Sequence, residues 1–145
     1  VERTRRLVAE AEACGVVLAE EAEPGFIVDS TAKLLRLFDD IPSAHLAANL
    51  DLGHMFLQDS DPLAAIAQVG AKIAHGHIEN MRAHVHEHQL PQEGDMDLHA
   101  YLAALRRAGF EGGLALDLYH HDYEAVAPEA LAYLRGLLAD LPNTL

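Results

Sequence analysis

The spacing of apolar residues changes period several times along the chain. Residues 2–14 place Leu7, Val8, Ala11 and Cys14 on one side at helical spacing, and Gly15 ends the pattern. Residues 16–19 form a short apolar run that stops at Glu20 and Glu21, as a buried strand does. Ser30 is placed to cap a helix carrying Leu34, Leu35 and Leu37, and Pro42 breaks the chain after it. Residues 44–50 predict a second strand, ending at Asp51. Ser60-Asp61-Pro62 opens a helix with a capping side chain and an early proline, and that helix runs to about Gly70. Residues 72–77 predict a third strand, followed by a long polar loop over 78–95. Asp97 caps a helix through Leu102 and Leu105 that Gly109 stops. Residues 113–118 predict a fourth strand, and residues 128–138 a last helix.

The order is therefore one helix followed by four strand–helix units. Strands alternating with helices pair in parallel through crossovers, and short, nearly continuous apolar strands fit a sheet covered by helices. Two architectures accommodate this pattern: an open doubly wound sheet, or half of a (β/α)8 barrel. A nucleotide-binding open sheet needs a Gly-rich phosphate loop after its first strand. Here Glu20-Glu21-Ala22-Glu23-Pro24 stands in that place and would repel a phosphate. No linker composition or charge block divides the chain, so residues 1–145 read as a single domain.

Composition narrows the function classes. Half of the 145 residues are apolar, with no run long enough to span a membrane. The formal net charge of −13 disfavours nucleic acid as a partner. A single cysteine, Cys14, forms no internal disulfide and reads as small core filler; a reduced, cytoplasmic setting is the default expectation. Ten histidines are the unusual feature, and His75, His77, His84, His86 and His88 share one short window. Such a window is either a solvated loop or a metal site.

Each predicted strand delivers a potential metal ligand at its C-terminal end. The first gives Glu20 or Glu21, the second Asp51 with His54 three residues on, the third His77 and the fourth Asp117. Taken singly, a carboxylate there is more often a helix cap and a strand histidine more often a core residue. The recurrence in four consecutive units points instead to a site built at one end of a parallel barrel.

The ordered segments resemble the xylose-isomerase-like superfamily of TIM barrels, in its C-terminal half, strands five to eight. Gly15-Val16-Val17-Leu18-Ala19-Glu20-Glu21 is similar to that family's fifth-strand segment, and Leu50-Asp51-Leu52-Gly53-His54 to its sixth-strand D-x-G-H. The run from Lys72 to Asn80 resembles the seventh-strand segment, with Asn80 where an Asp is usual. Gln92-Glu93-Gly94-Asp95-Met96-Asp97 is similar to the stretch before the next helix, with Gln92 replacing a Gly. The run from Gly109 to Asp117 resembles the eighth-strand segment, with Asp117 where the family has Glu.

This resemblance implies a divalent ion (Mn²⁺, Mg²⁺ or Co²⁺, with Zn²⁺ compatible) held by Glu21, Asp51, His77 and Asp117. It also implies a sugar or sugar-phosphate isomerase or epimerase reaction, with Glu21 and Asp117 moving the proton through an enediolate. Glu20 stays open as an alternative to Glu21, and Asp117 is one methylene shorter than the usual ligand. Residues His54, His86 and His88 correspond to an additional zinc site in the apurinic-endonuclease branch, or else line the sugar pocket. Arg82 is the candidate for a substrate phosphate or carboxylate, and His120 and His121 read as plain surface, the alternative being that they border the pocket. The alternatives are a multi-zinc phosphoesterase and a non-catalytic metal-binding barrel. Four strands are half of such a barrel. The chain opens inside a helical pattern without an initiator Met, so it is read as a fragment lacking the N-terminal half, the other option being two copies that pair as a homo-oligomer.

Overall fold

The computed structural model describes residues 1–142. Four strands form one parallel sheet in the order β1-β2-β3-β6: β1 (Leu18–Glu21), β2 (Leu46–Asp51), β3 (Ile73–Ile78) and β6 (Leu114–Leu116). Helices α1 (Glu2–Cys14), α2 (Thr31–Asp40), α4 (Pro62–Val69), α5 (Leu98–Arg107) and α6 (Tyr123–Ala139) alternate with the strands, and a short α3 (Leu52–Gln58) follows β2 directly. This is the α/β arrangement of parallel strand–helix units, and it corresponds to part of a barrel.

β2 is the centre of the sheet and is buried along its whole length. Its alternate residues Leu46, Ala48 and Leu50 pack into the helix layer with Leu34, Leu37 and Phe38 of α2 and Ile66 of α4. The residues between them, Asn49 and Asp51, face the opposite side, which becomes the barrel interior. On α5, Leu98, Tyr101, Leu102 and Leu105 recur at helical spacing and bury one face. Leu34 is wholly buried, and truncating such a side chain costs about 2–5 kcal/mol.

The helix caps largely follow the chain chemistry. Gly15 adopts φ 68°, which L side chains rarely do, and Val16 N donates to Ala11 O at 3.0 Å across it. That cap uses up Val16 and Val17, which are half exposed, so β1 begins at Leu18 and not at residue 16. Cys14 is exposed rather than core filler, because the buried stripe of α1 runs through Val8 and Ala11, and Leu7 and Cys14 flank it. Asp61, not Ser60, caps α4, accepting from Ala64 N at 3.0 Å with Pro62 next to it. The final helix starts at Tyr123, five residues before Pro128, which sits inside it.

The expected polar loop over 78–95 contains an antiparallel hairpin, β4 (Asn80–Arg82) with β5 (Val85–Gln89). Asn80 holds the end of this excursion to the sheet. Its Nδ2 donates to Pro91 O at 2.8 Å, and its Oδ1 accepts from Met81 N and Met96 N, both at 2.9 Å. An Asp here would lack the donor for Pro91. Gly94 is required beside it, since a Cβ there would come within 2.1 Å of Asn80 Oδ1.

Candidate metal centre

Parallel strands put their C-terminal ends on one side, and four of the expected residues meet there. Glu21 closes β1, Asp51 closes β2 and pairs in register with His77 of β3, and Asp117 follows β6 by one residue. His77 Nδ1 lies 3.4 Å from Glu21 Oε1, 3.6 Å from Asp51 Oδ2 and 3.8 Å from Asp117 Oδ2. The spacing brings Glu21, Asp51 and His77 into one group whose ligand atoms lie within 4.8 Å of one another. Neither Glu20 nor Asp117 is part of that group, Asp117 standing at its margin.

The site is electrostatically unfinished. Asp51 Oδ2 and His77 Nδ1 are buried and have no hydrogen-bond partner. A buried polar atom without a partner costs about 1–3 kcal/mol, so such atoms mark a missing group. Asp51 and Glu21 push the His77 imidazole up to about 10, so this cluster of carboxylates favours positive charge at its centre. Burial opposes ionisation of Asp51, yet His77 and His54 beside it hold its carboxyl below the usual range. Carboxylate oxygens plus one imidazole fit a hard or borderline divalent ion.

Two residues that period-two alternation could have flagged complete the floor. Asn49, two before Asp51, donates from Nδ2 to Glu21 Oε2 at 2.8 Å and so orients that carboxylate. Glu23, two after Glu21, reaches His54 Nδ1 at 3.6 Å and His86 Nε2 at 3.8 Å. A third, Glu79, stands two after His77 and carries the same spacing. It is fully buried behind Asp51, accepts from Gly53 N at 2.9 Å through Oε1, and leaves Oε2 unpartnered. Burial, with Asp51 alongside, raises its carboxyl well above the ordinary range. Gly53 is obligatory, because a Cβ there would lie 2.1 Å from Glu79 Oε1.

A second cluster adjoins the first. His54 sits in the first turn of α3, its amide capped by Asp51 Oδ1 at 2.8 Å. Its ring Nε2 is 3.1 Å from His86 Nε2, and His54, His86 and His88 form a group of potential ligands. His54 and His88 are buried, whereas His86 is largely exposed, and partial desolvation together with His54 lowers the His86 pKa. Arg82 is exposed on β4 and makes no side-chain hydrogen bond or ion pair among the described residues. His120 is exposed as expected, while His121 turns its ring back to His88 O at 2.9 Å.

The model of the protein family described as xylose isomerase-like TIM barrel matches residues 1–137, and the chain belongs to that family. Among individual proteins, D-psicose 3-epimerase of Enterocloster bolteae is 27% identical over 144 residues, which are 97% of this chain and 46% of that protein. The structure of an L-ribulose 3-epimerase superposes with TM-score 0.77 at 20% identity, covering 98% of this chain and 57% of its own. The IolI protein, whose structure was solved with a bound zinc atom, gives TM-score 0.76 at 24% identity over 94% of this chain and 52% of its own. Likeness at these identities shows the fold. The chain spans about half the length of the relatives it matches.

Proposed function

We propose that the chain carries the metal-binding and proton-transferring part of a sugar or sugar-phosphate isomerase or epimerase that acts through an enediolate. One observation carries this reading. Glu21, Asp51 and Asp117 converge on His77 Nδ1 within 3.4–3.8 Å, around two buried atoms that have no partner of their own. The name of the Enterocloster relative agrees with it. Glu21, Asp51, His77 and Asp117 would hold Mn²⁺, Mg²⁺ or Co²⁺, and Zn²⁺ is compatible. A bound ion supplies a Lewis acid that draws charge onto a ketose carbonyl oxygen and its neighbouring hydroxyl.

The protein side chains do the rest. Glu21 and Asp117 come to His77 Nδ1 from different strands, at 3.4 and 3.8 Å, so a carbon between them faces two carboxylates. One, ionised, takes up the carbon-bound proton, the other, starting protonated, gives its own to the opposite face or the adjacent carbon, and exchange with solvent would reset the pair. Asn49 keeps Glu21 aimed at the site. Arg82, exposed on the hairpin, is assigned to a phosphate or carboxylate at the far end of the substrate. The outer strands β1 and β6 each leave one edge of the sheet unpaired, so this reading includes closure of the barrel by a further half or by a second copy.

A second reading has its own observation. The His54–His86–His88 triad offers three imidazoles, which favour zinc and a multi-zinc hydrolase. A protein carrying the complete barrel separates the two. Incubated with Mn²⁺ and ketoses in D₂O, it should place solvent deuterium on the carbon beside the carbonyl, and Glu21→Gln or Asp117→Asn should slow this by about 10²–10⁴-fold. No exchange with any ketose, together with zinc-dependent phosphodiester cleavage, would overturn the first reading in favour of the second.

A further inference from the structure

We propose that His121 is a positioning residue for Asp117, acting through His88 in a closed clasp between the β4–β5 hairpin and the turn that follows β6. The inference rests on the reading of Asp117 as a ligand.

β6 has only three residues, and Asp117 lies just past its end, where the regular ladder gives out. The Asp117 amide donates to Ile78 O at 3.3 Å, a long bond. Its carbonyl is taken by a side chain: His88 Nδ1 reaches Asp117 O at 3.1 Å. His88 belongs to β5, which among the described residues pairs only with β4, and the Asn80 anchor lies on the other strand, so β5 gains a separate tie through His88. His121 supplies it, with Nε2 at 2.9 Å from His88 O. A tight turn, His121 N to Leu118 O at 2.9 Å, throws the His121 ring back over the hairpin. Leu118 is buried beneath that turn, and the Tyr119 ring meets His88 edge-on at 4.9 Å between centroids.

The circuit runs from Asp117 to His88, from His88 to His121, and through the three residues between them back to Asp117. It also fixes both tautomers. A carbonyl only accepts, so His88 must carry its proton on Nδ1 and His121 on Nε2. His121 is thereby committed to the His88 carbonyl, while His88 Nδ1 faces both the Asp117 carbonyl at 3.1 Å and the Asp117 carboxylate Oδ2 at 3.6 Å. The residue held at the end of this circuit presents the Asp117 carboxylate to His77 at 3.8 Å, the longest of the three carboxylate approaches. A short side chain on an irregular backbone depends more on such support than Asp51 does on its full-length strand.

Partners that orient a metal ligand from behind typically change ion affinity by about 10–100-fold when removed. The test is the Mn²⁺ affinity of the complete protein, read by calorimetry, for His121→Leu, His121→Gln, Asp117→Ala and the double variant His121→Leu/Asp117→Ala. Thermal unfolding of each variant is followed alongside. His121→Leu should weaken Mn²⁺ about tenfold, and His121→Gln, whose amide can donate to the same carbonyl, should recover most of the loss. In the Asp117→Ala background, His121→Leu should add nothing further. Wild-type affinity in His121→Leu, failure of the Gln variant to recover it, or a full loss that persists without Asp117 would overturn the proposal. Mn²⁺ binding untouched by Asp117→Ala would overturn the ligand role of Asp117, and the positioning role with it.

Discussion

The strand-end cluster and the hairpin cluster of histidines stand side by side but are built differently. Glu21, Asp51 and His77 project from hydrogen-bonded strands whose register is fixed by parallel pairing, Asp51 directly opposite His77. His86 and His88 come from a two-stranded excursion pinned at its base by Asn80 and near its end by His121. The first cluster is rich in oxygen and makes one imidazole strongly basic, and each cluster holds buried atoms without partners, Asp51 Oδ2 and His77 Nδ1 in the first and His54 Nδ1 in the second. The second is rich in nitrogen, and its member nearest solvent, His86, is made less basic by partial desolvation and His54. On the proposed reading the sheet would set the ion site, and the loops would adjust what surrounds it.

The sharpest way to break that contrast is to remove the strand-borne ligand. Asp51→Ala deletes a proposed ligand, so ion affinity should drop by more than the about 10–100-fold that losing a supporting partner costs, read in titration calorimetry. His86→Ala should leave the same affinity within about threefold if the hairpin only surrounds the site. An equal loss in both variants would erase the distinction.

Next in size is the pH dependence of ion binding. In the ion-free protein His77 keeps its proton up to about pH 10, and a ligand nitrogen must be unprotonated. Binding therefore expels that proton, and apparent affinity should rise about tenfold per pH unit from pH 6.5 towards 10. Calorimetry in buffers of different ionisation enthalpy would count the protons released. A pH-independent affinity would show that His77 is not at the ion.

The anchoring of the hairpin is tested by Asn80→Asp, which exchanges a buried donor for a charge facing Pro91 O. It should cost about 3 kcal/mol in denaturant unfolding, whereas a cost below ~0.5 kcal/mol would show that the loop is held elsewhere.

The smallest effect is expected at Glu79. Its folded-state pKa is raised, so its contribution to stability is fully present below the unfolded value of 4.5 and is lost as pH rises through the folded value. Glu79→Gln keeps an acceptor for Gly53 N without the charge. In chelator-treated protein it should be nearly neutral at pH 4 and should gain on wild type as pH rises. A variant that loses ground with rising pH would contradict the assignment of an uncharged Glu79.

Much of this architecture was legible in the chain because its signals are local. The four strand–helix units, the Gly15 and Gly109 stops and the Asp97 cap follow from residues next to one another. Asp51 and His77 were placed by simple strand-end logic, since the end of an apolar run and the end of its strand nearly coincide. What was missed depends on contacts distant in sequence. The β4–β5 hairpin carries charged and polar residues on both faces, so no alternation announced it, and Asn80 fixes it by reaching eleven residues ahead. Helix α3 was hidden because Gly53 argues against a helix, yet Glu79 leaves no space for any other residue there. Glu79 itself reads as one more polar residue after a strand, and only the fold shows that it is buried.

The central claim is a single ion at the strand ends, with the histidine hairpin as its surroundings. Elemental analysis of the complete protein, purified without chelator, tests it most directly when His86→Ala is measured beside wild type. The account predicts one Mn-, Mg- or Co-type ion per chain in both. Two or more zinc ions per chain, with one lost in His86→Ala, would contradict it.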